Sequence, residues 1–173
     1  MKNIASDSVQ QGKAATVRKT FSRETSVSTN ILADPGIVWA LLTNASDYPR
    51  WNSTVVSIKG EIRQGGNIEL KSTLDEKRTF KLKVKEFEPE KRLVWGDAMG
   101  NRIYSLTKKD ASVRFEMTEK IGGPLFPLFA GYIPAFDESF ERFAADLKRE
   151  AESIQRSKTE PKGEQNGKEN KRQ

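Results

Sequence analysis

Five residues in this chain have types and spacing that could do chemistry: Arg78, Asp97, Arg102, Tyr104 and Glu119. Each lies in a stretch that alternates apolar and polar residues, as a β-strand does. Short turns separate these stretches, so the strands run antiparallel, and the start of one strand shares a sheet edge with the end of the next. Arg78 starts a predicted strand, Asp97 ends the next, Arg102 starts the following one and Glu119 ends the last. Parity adds a second constraint. Arg78 shares a face with Phe80 and Leu82, Asp97 with Leu93 and Trp95, Arg102 with Tyr104 and Leu106, and Glu119 with Phe115 and Met117. The two arginines, two carboxylates and the tyrosine are therefore expected at one end of one sheet face.

Three kinds of chemistry fit such a group. The charges can pair across strands and do nothing more. They can orient the polar head of an otherwise apolar ligand. Or Asp97 or Glu119, its pKa raised by desolvation, can serve as general base with Tyr104 as acid. The chain has no histidine and no cysteine. That excludes Ser-His-Asp and Cys-His nucleophiles, disulfides and zinc sites of the usual ligands. No metal and no cofactor is expected.

The elements that must position these residues can be read along the chain. The first strand spans 21–32, with Phe21, Thr25, Val27, Thr29 and Ile31 on one face. Asp34-Pro35 then starts a short helix, with a capping carboxylate before proline at the first helical position. Val38, Trp39, Leu41 and Leu42 make its buried side, and a second short helix or turn around 46–48 leads to Pro49. Six strands follow at about 53–63, 67–75, 78–87, 91–98, 102–108 and 112–120. The last element is a long helix, because Phe136, Phe140, Phe143, Leu147, Ala151 and Ile154 fall on one stripe. Before it, residues 121–134 are the most apolar stretch but are broken by Gly and Pro, which suits a lid, a membrane-touching patch or packing under the helix. The expected fold is α+β: a seven-stranded antiparallel curved sheet around a long C-terminal helix, with two short helices after the first strand.

The net charge of +6 sits mostly in the ends. Residues 1–20 carry Lys2, Lys13, Arg18 and Lys19 against Asp7, and 157–173 carry five basic and three acidic groups. The middle is nearly neutral, so no nucleic-acid partner is expected. Residues 1–19 and 157–173 are polar and are expected to be disordered tails around one domain at 20–156. No run resembles a secretory signal or a membrane span, so a cytoplasmic location is expected. Lys81, Lys83 and Lys85 read as a wet outer face, and Gly65-Gly66 reads as a turn.

Val38-Trp39, Tyr48-Pro49-Arg50-Trp51-Asn52 and Leu93-Val94-Trp95, in this order of elements, resemble the START/Bet v1-like (SRPBCC) superfamily. Within it, the chain looks like the polyketide cyclase/dehydrase and lipid-transport group, from about Phe21 to Ile154. The resemblance implies a helix-grip fold with an internal cavity for an apolar ligand. Leu70, Phe80, Leu82, Trp95, Tyr104, Phe115, Met117, Phe129, Tyr132, Phe136 and Phe140 would line it, with Arg78, Asp97, Arg102 and Glu119 as its rim. The leading expectation is a carrier or sensor of a small hydrophobic molecule such as a lipid, polyketide or aromatic metabolite. A cyclase or dehydratase working through the carboxylates and Tyr104, and a co-chaperone-like interaction module, are the alternatives. The protein partner is left unnamed, and transient membrane contact is left open.

Overall fold

The computed structural model describes residues 10–160. Eight strands form one antiparallel sheet: β1 (Ala14–Lys19), β2 (Ser22–Ile31), β3 (Val55–Gly60), β4 (Asn67–Ser72), β5 (Asp75–Glu88), β6 (Arg92–Gly96), β7 (Gly100–Lys109) and β8 (Ser112–Gly122). Their order across the sheet is β1-β2-β8-β7-β6-β5-β4-β3. Helices α1 (Pro35–Thr43) and α2 (Tyr48–Trp51) follow β2, while α3 (Phe126–Phe129) and α4 (Asp137–Thr159) follow β8.

The α+β helix-grip architecture is as expected, with one correction: the sheet has eight strands instead of seven. The extra strand, β1, falls inside the stretch 1–19 expected to be a disordered tail. Its composition is polar, and its order comes from partners distant in sequence. It pairs along β2 from Ala14↔Val27 to Lys19↔Ser22. Helix α4 anchors it through Glu141, whose carboxylate accepts from the Ala14 amide at 3.1 Å and from Lys13 at 3.2 Å. At the other end, α4 runs to Thr159, three residues into the second expected tail. Of the expected tails, residues 1–9 and 161–173 lie outside the described residues.

Local signals explain the helices. Asp34 Oδ1 accepts from the Gly36 amide at 2.8 Å, and Pro35 occupies the first turn of α1. In α4 the apolar stripe buries Phe140, Phe143, Ala144, Leu147 and Ala151 against the sheet. Asp146 is also buried, at 6% exposure, beside Ala145 and Leu147 in sequence. It accepts from the Ser53 amide, the Ser53 hydroxyl and Arg149, each at 2.7 Å, and so ties α4 to the loop after α2.

The middle of the domain is filled by rings. Tyr48, Trp51, Trp95, Tyr104, Phe115 and Phe143 form one contiguous cluster, with centroids 4.9–6.5 Å apart in the contacting pairs. Edge and tilted contacts dominate, as the ring quadrupoles favour. Trp39 stands apart. It is half-buried and packs on Phe87, at 5.1 Å, across the outer end of β5.

Candidate functional site

The sheet register builds the site. On β7, Arg102 lies between Trp95 of β6 and Glu119 of β8. Glu119 in turn lies beside Thr25 of β2, and Thr25 beside Thr16 of β1. One row of side chains thus crosses five strands. Thr16 donates to Asp137 of α4 at 2.9 Å and contacts the Thr25 hydroxyl at 2.8 Å. A hydroxyl has one proton to give, so Thr25 is the donor to Thr16.

Arg102 and Glu119 form an ion pair with both side chains 17% exposed. The guanidinium also lies over the Phe140 ring, 5.2 Å from its centroid. Burial alone would depress the Arg102 pKa, but Glu119 and Tyr104 outweigh it and the net shift is upward. Tyr104 is fully buried, and its hydroxyl has no hydrogen-bond partner among the described residues. Burial pushes the phenol well above its ordinary range, against the opposing pull of Arg102.

Beside this row the helix and the sheet do not meet, and a cavity of about 190 Å³ opens to the surface. Leu70, Phe80, Leu82, Trp95, Ile121 and Phe136 supply its apolar walls. Arg78, Asp97, Arg102 and Glu119 border it, and Tyr132, Ile133 and Pro134 close one side. All four rim residues therefore come together, as parity required. Ten of the fifteen expected lining residues border the space. Among those also present and not anticipated are Leu74, Met99, Ile121 and Ile133, which sit on turns or strand ends where alternation gives no direction.

Five expected lining residues do not border it. Tyr104, Phe115, Met117 and Phe140 are at most 1% exposed and form the solid layer behind the cavity. They point to the correct face, but further along the strands the rings of α4 fill the space. Phe129 is on α3 and packs edge-on against Phe126 at 5.7 Å. Its direction depended on loop geometry that no periodicity encodes.

The expected acid–base set is also altered. Asp97 lies just past the end of β6, is exposed, and accepts from the Met99 and Gly100 amides at 2.7 and 3.1 Å. Its carboxylate is thus a turn cap. Lys85, expected in a wet row, reaches the same turn and donates to the Asp97 carbonyl at 2.9 Å and to Asn101 Oδ1 at 2.6 Å. Gly96 permits this turn, because a Cβ there would sit 2.1 Å from the Gly100 carbonyl oxygen. Glu119 is committed to Arg102, and Tyr104 is walled off from the cavity.

Arg23 is the residue that sequence reasoning passed over. It has the inward parity of Thr25 and Val27, and it is 4% exposed. Its guanidinium donates to the Ile133 and Pro134 carbonyls at 3.2 and 2.7 Å and lies over Phe136, 4.6 Å from the ring centroid. It therefore holds the 121–136 loop against the sheet beside the cavity. Burial and the nearby Arg18 lower its pKa, while Asp137 and Glu119 oppose that shift. The available signal was an arginine at an inward position of an alternating strand, which requires a buried partner.

Arg78 differs from the other two arginines. It is exposed, lies over the Phe80 ring at 4.7 Å, and has no carboxylate partner among the described residues. Of the two arginines that border the cavity, it is the one without an ion-pair partner among the described residues.

Comparisons with known proteins agree with this architecture. A START superfamily protein from Mycobacterium smegmatis superposes with a TM-score of 0.56 at 14% identity, covering 76% of this chain and 98% of its own. CalU16 from Micromonospora echinospora gives 0.54 at 18% identity, covering 84% and 91%. A conserved protein of unknown function from Enterococcus faecalis gives 0.60 at 14% identity, covering 82% and 78%. At these identities the likeness shows the fold. No curated protein matches the chain in sequence. The pattern of one family, described as polyketide cyclase / dehydrase and lipid transport, matches residues 22–152, most of the chain, and the chain belongs to that family.

Proposed function

We propose that the chain binds a small apolar or amphipathic molecule, inserted end-on into the cavity with its polar end at Arg78. The supporting observation is the cavity itself, apolar at its walls and bordered by one unpaired cation. A few placed polar groups on an apolar pocket give orientation, while apolar area removed from water gives affinity, at ~25 cal/mol per Å² before the cost of immobilisation. The size narrows the ligand. At about 190 Å³ the space is smaller than the roughly 300–1,000 Å³ of ordinary ligand pockets. It suits one aromatic ring or the end of one acyl chain, with the remainder of the molecule at the mouth. The family description, which joins cyclase or dehydrase chemistry with lipid transport, is consistent with handling of apolar molecules. No catalytic step is assigned, because the three acid–base candidates are engaged in a turn, an ion pair and the closed core.

The test is binding of 1-anilinonaphthalene-8-sulfonate, a fluorescent aromatic anion. Leu82→Trp fills the cavity and is expected to weaken binding more than 10-fold, an effect of about 1.4 kcal/mol or more. Arg78→Ala is expected to weaken this anion but not an uncharged naphthalene probe. Unchanged binding of the anionic probe by a folded Leu82→Trp protein would place the ligand elsewhere.

A further inference from the structure

Nine large apolar side chains are exposed among the described residues, and six of them sit at the cavity end: Phe21, Leu74, Met99, Leu125, Leu128 and Tyr132. They occupy the tips of separate segments. Phe21 is on the β1–β2 turn, Leu74 on β4–β5 and Met99 on β6–β7, and the other three are on the segment between β8 and α4, Leu128 within α3. Backbone bonds draw three of these segments together: Gly122 donates to Met99 at 3.1 Å and Gly123 to Phe21 at 3.0 Å. Leu74, Met99 and Tyr132 border the mouth itself. Tyr132 is 88% exposed, Leu128 75% and Leu125 65%. A soluble surface rarely gathers such groups at one end without a partner.

The charges around them have a bias. Arg18, Lys19, Lys77, Arg78 and Lys120 lie on or next to these turns, and none has a carboxylate within 4.0 Å among the described residues. The acidic residues there are Glu24, cross-strand from Lys120, with Asp75, Glu76 and Asp97, and Asp97 is turned to its own backbone. From Ile121 to Phe136 there is no ionisable group except Tyr132. That loop can enter an apolar boundary without dehydrating a charge.

We propose that this end of the molecule docks on an anionic lipid bilayer, with the loop after β8 and the three turn tips in the interface and the basic residues at the head groups. Apolar tips ringed by lysine and arginine, with a tyrosine at the boundary, match the layering of a bilayer surface. The tips stand around an opening and present no flat face, which disfavours a second protein surface as occupant. The docking does not rest on the cavity's having a ligand. Vesicle binding is read without a soluble probe, and probe binding without vesicles, so either can fail alone.

The test is co-sedimentation of the full chain with phosphatidylcholine vesicles, with and without phosphatidylglycerol. Binding is expected to the mixed vesicles and to weaken with salt. The double substitution Leu125→Ser/Leu128→Ser is expected to lower partitioning roughly 10-fold or more. Lys77→Gln and Lys120→Gln are expected to lower it roughly 5-fold each on anionic vesicles only. Leu32→Ser, on an apolar residue at the opposite end of β2, is expected to change nothing. As a second readout, brominated lipid is expected to quench a Tyr132→Trp protein more than the parent. Three results would overturn the proposal: no sedimentation with anionic vesicles, equal binding by the double-serine protein, or a lipid-free dimer that the same substitutions dissolve.

Discussion

The two halves of the space between sheet and helix each hold a phenylalanine of the same apolar stripe and end differently. Around Phe143 the rings of Tyr48, Trp51, Tyr104 and Phe115 pack together and leave no room. Around Phe136 the neighbours are Arg23, Phe140 with Arg102 over its ring, and the glycine- and proline-broken loop, and a hollow remains. The filled half is where stability is concentrated. At the hollow end, charges and backbone carbonyls take the place of apolar atoms, so packing is given up for access. This division of labour between a rigid floor and an open mouth is what a binding site needs.

The largest effect should come from the filled half. Phe143→Ala is expected to cost about 3–5 kcal/mol in urea unfolding, because four rings lose their common neighbour. Phe80→Ala, a half-buried ring on the cavity wall, should cost well under half of that. Equal losses would erase the distinction between the halves.

The boundary between them can be cut next. Glu119→Gln leaves the Arg102 charge buried without its partner and is expected to cost about 2–4 kcal/mol. Pairing it with Arg102→Met should restore most of that stability, since both charges then leave together. If the double variant is no more stable than the single one, the pair is not an isolated unit.

A smaller effect concerns the tie between α4 and the loop after α2. Burial pushes the Asp146 carboxyl up, but the bonds from Ser53 and Arg149 outweigh it, and its pKa lies below the ordinary 3.8. The unfolded chain therefore takes up the proton first as pH falls. Stability from this group is fully present above about 4 and is lost as pH drops through the depressed folded value. Asp146→Asn is expected to flatten that part of the acid-unfolding profile and leave the neutral-pH binding of the anionic probe unchanged. A variant as acid-sensitive as the parent would assign the effect to the other depressed carboxyls, Asp47, Glu141 and Glu152.

The smallest change in stability, within ~1 kcal/mol, is expected for Leu82→Trp, because it adds atoms to existing space. A large destabilisation would mean that the space is too tightly bounded to accept a ring.

Much of this was legible in advance because strand parity and turn position are local properties of the chain. Period-two alternation placed Arg78, Trp95, Arg102 and Glu119 on one face, and the short turns placed them at one end. The stripe on α4 and the Asp34-Pro35 start of α1 were equally local. What alternation could not supply was depth. Phe115, Met117 and Phe140 have the same inward direction as Phe80 and Leu82, yet only the latter two border the hollow. Whether an inward side chain faces space or another ring depends on how closely α4 approaches each point of the sheet, and that distance is set by the sum of all contacts. β1 escaped for a related reason, since its order comes from β2 and Glu141 and not from its own composition. By itself, then, the sequence determined the fold class, the sheet face and the end at which the polar groups gather, because these follow from short-range periodicity. Only the tertiary structure decided which of those groups remained free. The Asp97 carboxylate went to its turn, Glu119 to Arg102 and Arg23 to the loop, leaving Arg78 open, because hydrogen-bond partners are assigned by distance in space and not along the chain.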